Sequence, residues 1–581
     1  MPESIWDLEK EILSEISHEV PWKLVEEFSR LERVSGTEDE RKAADYIRKE
    51  LERFGVPYQY FEPLLYLSWP IKAEIKVEFP ESREISCRLP AFSASGSVTG
   101  ELFYVKSEGY GIEASPTIIP EEVRGKIAIT EGLSSPTVAL RFERAGTIGQ
   151  IYVNPGERIH ESTVMPVWGT PTPEDAKLKP KNPVVDVNRA TGEYLLKLME
   201  DSKVVVTLRT ELKEGWFKCP LIVAEIRGKD EPEKFVLLHG HLDSWYYGVG
   251  DNATGDAALL EIAMVFHKFR DRLKRSLRIA WWPGHSTGRY AGSTWYADHF
   301  ALDLLENCIA HSNCDSPGCK WDYNFDEVMW TPEAEDLCKG VIREVAGKEA
   351  KGLRPERAGD YSFNNLGITG FYMLSSNIPE EIRREKGFYP VGGCGGNVAW
   401  HTPEDTLEVA DPEILERDIK VYAATIVRVL NSMIYPFNFL RTVDELIRWT
   451  EKYSQEVGEE LDLSQVLEEL HLLRRDMETF YRMCKEIEER RDFEKAKKVN
   501  EVMLGLSRIL VPLYLCERGT FEQDLAIGRP PIPLIADCVL LPRMERSDEY
   551  MFLKTKLIRG RNKVISSIRR ARNLLRRIIG S

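Results

Sequence analysis

Residues 234–269 read KFVLLHGHLDSWYYGVGDNATGDAALLEIAMVFHKF. An apolar run from Phe235 to Leu238 stops at His-Gly-His, a loop with glycines at 248 and 250 follows, and apolar residues then return at helical spacing. That is a strand, a glycine-containing turn and a helix. The same rhythm recurs downstream, with LRIAWWPGH (277–285), CIAHSNCD (308–315) and GITGFYML (367–374) as strand candidates and ERDIKVYAATIVRVLNSMI (416–434) as a helix. Such alternation predicts an α/β fold: a mostly parallel central sheet with helices on both faces, whose site lies at the strands' C-terminal ends.

On the N-terminal side, residues 20–56 predict two helices broken at Ser35-Gly36, with Thr37 and Glu40 forming a capping box for the second. Between about Leu64 and Glu214 the texture changes to short alternating strands such as AEIKVEF (73–79) and KVVVTLRT (203–210), divided by Pro and Gly. Beyond Pro436 the chain turns helical and rich in Arg and Glu, as in VDELIRWTEKY (443–453), and a proline-rich loop, IGRPPIPLIAD (527–537), interrupts the expected bundle. The expected units are therefore 1–62 with 218–435, a strand-rich insertion over 63–217, and a helical region over 436–581.

At 581 residues the chain exceeds one ordinary core, and 43% hydrophobic with 30% charged residues fits a globular protein rather than a disordered one. The ten cysteines are scattered without a CxxC pair, so buried thiols are expected, Cys314 among them. A net charge of −16 argues against nucleic acid as a partner. The start, MPESIWDLEKEIL, is acidic and lacks a signal-peptide pattern, and no stretch reaches about 18 apolar residues, so a cytoplasmic protein with no membrane partner is expected. Only five glutamines against abundant Glu, Lys and Arg fit a hot environment. The last helix, NKVISSIRRARNLLRRII (562–579), is basic and amphipathic, and docking on an acidic partner subunit is the expected use.

Chemistry concentrates where the strands end. Seven of the ten histidines lie between His239 and His401. In His239-Gly-His241-Leu-Asp243, one imidazole can bind a metal while the carboxylate two residues on orients it, although a lone HxD pair is more often structural. Asp251, at a glycine-flanked turn opening a helix, is either a helix cap or a carboxylate bridging two cations. Asp315 in SNCDSPG and His401 in VAWHTPEDT complete four ligand-type residues.

In that order, HGHLDS, DNATG, a tryptophan strand leading to GS, NCDS and WHTPEDT resemble the motifs of the co-catalytic di-zinc metallopeptidases, metallopeptidase family 28. That family includes bacterial aminopeptidases, glutamate carboxypeptidase and the transferrin receptor. VRGKIAITEG with FERAGTIGQIYVN resembles the family's inserted protease-associated domain, and the terminal helices resemble its dimerisation domain. The resemblance implies a three-layer sandwich binding two divalent cations, zinc by analogy, and acting on a small peptide or amide substrate as a homodimer formed through the C-terminal helices. It implies that His241, Asp251 and Asp315 hold one metal, that Asp251 bridges to a second shared with His401, and that Asp243 orients His241.

One departure sits at the centre. The family carries two adjacent glutamates after the tryptophan strand, a general base and a metal ligand, where this chain reads Trp282-Pro-Gly-His285-Ser286-Thr287-Gly288-Arg289-Tyr290. His285 then either replaces the missing ligand or serves as general base, and the site is about two charges less negative. Peptides or a non-peptide amide, such as a cyclic imide or carbamoyl compound, are the expected substrates; a receptor-like, non-catalytic protein is the third reading. Arg289 and Tyr290 stand where an oxyanion donor or substrate-carboxylate clamp would sit, with a loop salt bridge and a packed ring as the plain alternative. Asp360 in ERAGDYSFNNLGI and Gly395 in the loop 391–397 are further substrate-binding candidates, whereas His299 and His311 read as structural and His239 as either core or support for the site.

Overall fold

The computed structural model describes residues 5–580; the first four residues of the acidic start, and Ser581, lie outside them. A six-stranded sheet forms the centre, in the order Tyr58–Phe61, Leu221–Ile226, Arg275–Trp282, Glu231–His241, Cys308–Asn313, Thr369–Phe371. The last four run parallel, Leu221–Ile226 pairs antiparallel at their edge, and Tyr58–Phe61 pairs antiparallel with Leu221–Ile226 outside it. Alternate residues of the apolar run explain why it is continuous. Val236 and Leu238 pack with the helices Glu19–Phe28, Thr254–Lys268 and Pro412–Asn431, while Phe235 and Leu237 pack with Ala291–His299 and Ala301–Asn307 on the other face.

Helix Thr254–Lys268 is buried over most of its length, and its first turn abuts Cys314, the residue that follows strand Cys308–Asn313. Gly255 permits this approach, because a Cβ there would lie 2.1 Å from Asn252 Oδ1 and 2.5 Å from the Cys314 carbonyl. At the N-terminus, Thr37 accepts from the Glu40 amide at 3.4 Å, but Glu40 returns to the Gly36 amide at 2.7 Å instead of the cap's own amide, so the expected box closes one residue early.

The strands Leu64–Phe79 and Val205–Lys218 pair antiparallel along their whole length and lead out to a second, seven-stranded sheet. Its other end is an α/β arrangement: Gly96–Tyr104, Ile127–Glu131, Gly149–Val153 and Val184–Val187 run parallel, with helices Pro136–Ala145 and Arg189–Asp201. The C-terminal region is helical, built on Phe439–Val457, Ser464–Arg490, Phe493–Leu515 and Asp548–Ile579. The basic face of the last helix meets carboxylates of its own chain: Arg569 with Glu469 at 2.7 Å, and Arg572 and Arg576 with Asp476 at 3.1 and 3.2 Å. Those three arginines are thus paired within the chain. No helix among the described residues is long and apolar enough to cross a membrane, and all ten cysteines are free thiols.

Candidate metal centre

His241 is the last residue of strand Glu231–His241. Its Nδ1 donates to the Asp243 carbonyl at 2.8 Å, which turns Nε2 towards Asp251 Oδ1 at 2.8 Å and Asp315 Oδ1 at 3.9 Å. The second Asp251 oxygen faces His401 Nε2 at 3.1 Å, and His401 Nδ1 donates to the Glu161 carbonyl at 2.8 Å. Asp251 itself is fixed from behind by Asp405, whose carboxylate accepts the Gly250 and Asp251 amides at 2.7 and 3.0 Å.

His285 follows strand Arg275–Trp282 and stacks on His241 with ring centroids 3.8 Å apart. Its Nδ1 donates to Asp360 Oδ2 at 2.6 Å, leaving Nε2 for the site. One ligand atom from each of His241, His285 and Asp315 lies within 4.8 Å of the others. All three imidazoles are thus set alike, with Nδ1 tied to an oxygen and Nε2 free to meet a cation, which is how a protein fixes the tautomer of a metal ligand. The donor set of nitrogen and carboxylate oxygen suits zinc.

The electrostatics agree. Burial opposes a charge on His241, yet Asp251 and Asp315 hold its pKa well above the ordinary value; burial also opposes ionisation of Asp251, which His241 and His401 hold well below it. Burial, with Asp251 alongside, raises Asp315, and burial pushes Asp405 to about 7. Carboxylates crowded in this way are a charge deficit that a cation relieves.

A cavity of about 820 Å³ opens onto the cluster, lined by Asp251, His285, Ser286, Arg289, Tyr290, Asp315 and His401, with Tyr110, Glu113 and Glu161 contributed by the inserted region. Three sequence expectations need correction here. The Asp243 carboxylate does not orient His241: it lies 4.0 Å from Nδ1 and instead accepts the amides of His285 and Ser286 at 3.0 and 2.9 Å, because those two donors would otherwise be buried unpaired. It is a positioning residue, closed off from the cavity. Asp360 is no substrate contact either, since its buried oxygens are taken by His285 and by Ser293 Oγ at 2.6 Å. Gly395 faces away, with its would-be Cβ 2.0 Å from the Asp322 carboxylate, and Gly392 lines the cavity in its stead.

His239 and His311 form a buried stacked pair, Nε2 to Nδ1 at 3.1 Å, and burial lowers the His239 pKa to about 4, so both belong to the core. Asp405, Glu161 and Ser293 are not among the sequence candidates, although Asp405 stands four residues after His401 within WHTPEDT and Ser293 within the GS that follows the tryptophan strand. Because Asp360 sets the ring of His285, Asp360→Asn is expected to weaken metal binding about 10- to 100-fold, read by competition with a chromogenic chelator, with the thermal melt of the metal-free protein little changed.

Residues 222–426 match the family model described as Peptidase family M28. A probable glutamate carboxypeptidase AMP1 of Arabidopsis thaliana is 21% identical over 530 residues, covering 77% of this chain and 72% of that protein. Further curated relatives align over less than two thirds of their own length. An aminopeptidase from Aneurinibacillus sp. strain AM-1 superposes with a TM-score of 0.54 at 18% identity, over 74% of this chain and 99% of that one. BSAP, a zinc aminopeptidase from Bacillus subtilis, superposes with a TM-score of 0.52 at 18% identity, over 71% and 95%. At these identities the two structures share the fold.

Proposed function

We propose that this chain, which carries a peptidase family M28 domain, is a metal-dependent hydrolase of peptide or related amide bonds. One observation carries the reading: three imidazoles, each tied by Nδ1 to an oxygen, turn Nε2 towards a pair of buried carboxylates at the wall of one cavity. His241, His285 and Asp315 would hold one cation, and Asp251 with His401 would help to hold a second. His285 is then a ligand on the Asp315 side, rather than a substitute at the His401 side. Zinc is the proposed ion, supported by the donor set and by the zinc aminopeptidase of the same fold.

When bound, divalent cations supply Lewis acidity towards a carbonyl oxygen and make a water more acidic. The chain supplies the rest. Asp405 and Asp243 lock the two backbone segments that carry Asp251 and His285, and the burial of His241 and Asp315 keeps bulk water from competing for them. With His285 and Ser286 in place of two carboxylates, the site tolerates a more anionic substrate than a glutamate-containing one.

The test is metal content together with turnover. At least one tightly held transition metal per chain is expected, with cleavage among amino-acid amides, dipeptides and cyclic imides that a chelator abolishes and zinc restores. Less than one metal per chain and no turnover would leave a binding protein on a hydrolase fold. Metal occupancy should also rise with pH. In the metal-free state Asp251 raises the His241 pKa, so a proton competes for Nε2 below that value and is released on metal binding. A zinc titration between about pH 5 and pH 8 that gave constant affinity would contradict this assignment of His241.

A further inference from the structure

Arg289 stands on the cavity wall beside His285, Ser286 and Asp315. Among the described residues its guanidinium makes one hydrogen bond, Nη1 donating to the Tyr290 hydroxyl at 3.0 Å, and no ion pair; its buried Nε has no partner. Arg289 is half-buried, and an enclosed Nε left without a partner is costly unless a ligand completes it. Glu113 and Glu356 line the same cavity, and three further acids there are already engaged. Glu327 is paired with Arg383 and Glu380 with Arg384, both at 2.6 Å, and Glu161 accepts from the Tyr246 hydroxyl at 2.5 Å.

The arginine is also held in place. Its Cζ lies 4.6 Å from the centre of the Tyr290 ring, which stacks on Trp168 at 4.1 Å, and Arg357 lies over Trp168 at 3.7 Å. Arg357 spends its donors on the carbonyls of Tyr361, Asp524 and Leu525 and on Gln523, whereas Arg289 keeps its own. Arg289 and Tyr290 are consecutive non-glycine residues in the left-handed region, with φ of +50° and +69°. The Gly169 amide donating to the Arg289 carbonyl at 2.7 Å and the Tyr290 amide donating to the His285 carbonyl at 3.1 Å hold that conformation. The His285 ring meets the same Tyr290 ring edge-on at 4.8 Å, so the guanidinium and the His285 imidazole share Tyr290 as a neighbour.

We infer that Arg289 clamps a carboxylate that the substrate carries beside the scissile amide. The substrate class is therefore acidic amides, meaning N-acyl amino acids and peptides with a free carboxylate at that place, rather than free amines. This rests on the amide-hydrolase reading above. The carboxylate comes either from the departing amino acid or from an acidic acyl side chain, and both present the planar pair of acceptors that a guanidinium fork matches.

Binding separates the clamp from catalysis. Calorimetric titration of the zinc-loaded protein with N-acetylphenylalanine and with N-acetylphenylalaninamide should favour the acid by about 10- to 100-fold. Arg289→Met should erase the preference and Arg289→Lys should keep part of it, with circular dichroism confirming that both variants fold. Equal affinity in the wild type, or an unchanged preference in Arg289→Met, overturns the inference. In turnover, N-benzoylglycylphenylalanine set against its C-terminal amide reports a leaving-side carboxylate, and a glutaryl anilide reports an acyl-side one. Preference for either acid supports the clamp; a requirement for a free amine, or equal loss of kcat on acid and amide in Arg289→Met, marks a different role and overturns it. Intact binding preference without any amide cleavage would keep the clamp and remove the hydrolase reading.

Discussion

Asp251→Asn should lower amide turnover by about 10³-fold or more and cut bound zinc, while leaving the fold intact. Both Asp251 oxygens are engaged, Oδ1 with His241 at 2.8 Å and Oδ2 with His401 at 3.1 Å, and the side chain is the single group that touches both halves of the cluster. An amide of the same shape keeps one acceptor and turns the other into a donor, which repels a cation and faces an imidazole nitrogen that then lacks its acceptor. The charge that helps to raise the His241 pKa also disappears, so the variant's His241 should titrate lower. Stopped-time assays with metal analysis on the same samples provide the check. Full zinc with near-normal turnover in Asp251→Asn would mean that the cations sit elsewhere.

The second large effect is on stability. Arg33→Met is expected to cost about 3–5 kcal/mol, seen as a lower urea midpoint at unchanged slope. Arg33 is fully buried and donates to four carbonyls, those of Leu242 at 3.0 Å, Phe28 at 3.2 Å, Tyr247 at 2.7 Å and Gly248 at 2.9 Å, three of them on the loop between His241 and Asp251. Burial depresses its pKa, with Asp256 the first of the nearby carboxylates that oppose the effect. Methionine fills much of the space but orphans every acceptor, so the loop joining the two candidate ligands His241 and Asp251 loses its internal brace. A loss below about 1 kcal/mol would show that water replaces the guanidinium without penalty.

How much of this was legible in the sequence follows from distance along the chain. The apolar run 235–238 and its successors announced the parallel strands because both faces are buried, and the candidate ligands His241 and Asp315 stood out because they end or follow such runs, whereas His401 lies in a turn that follows no strand. Supports that act across the fold left no such trace. Asp360 reaches His285 over 75 positions and Asp405 reaches the Asp251 amide over 154, and neither spacing has any period to read. Asp243 illustrates a second limit. The HxD spacing is real and does serve His241, but through the carbonyl, since the amides of His285 and Ser286 outcompete the imidazole for the carboxylate. The glycines of 391–397 misled in another way: Gly395 is small to let Asp322 pack against it, not to cradle a ligand.

The inserted sheet region reaches into the chemistry at one residue pair. Glu161 and His401 exchange backbone and ring hydrogen bonds, the Glu161 amide donating to the His401 carbonyl at 2.9 Å while His401 Nδ1 returns a bond to the Glu161 carbonyl. Neighbouring His160 grips the Trp400 carbonyl at 2.6 Å and the Tyr389 hydroxyl at 2.8 Å. Residues 160 and 161 therefore work as a splint for an imidazole that belongs to another part of the chain. Trimming the molecule to its central sheet would free that imidazole to swing, so a shortened version must splint it by other means to keep Nε2 facing Asp251.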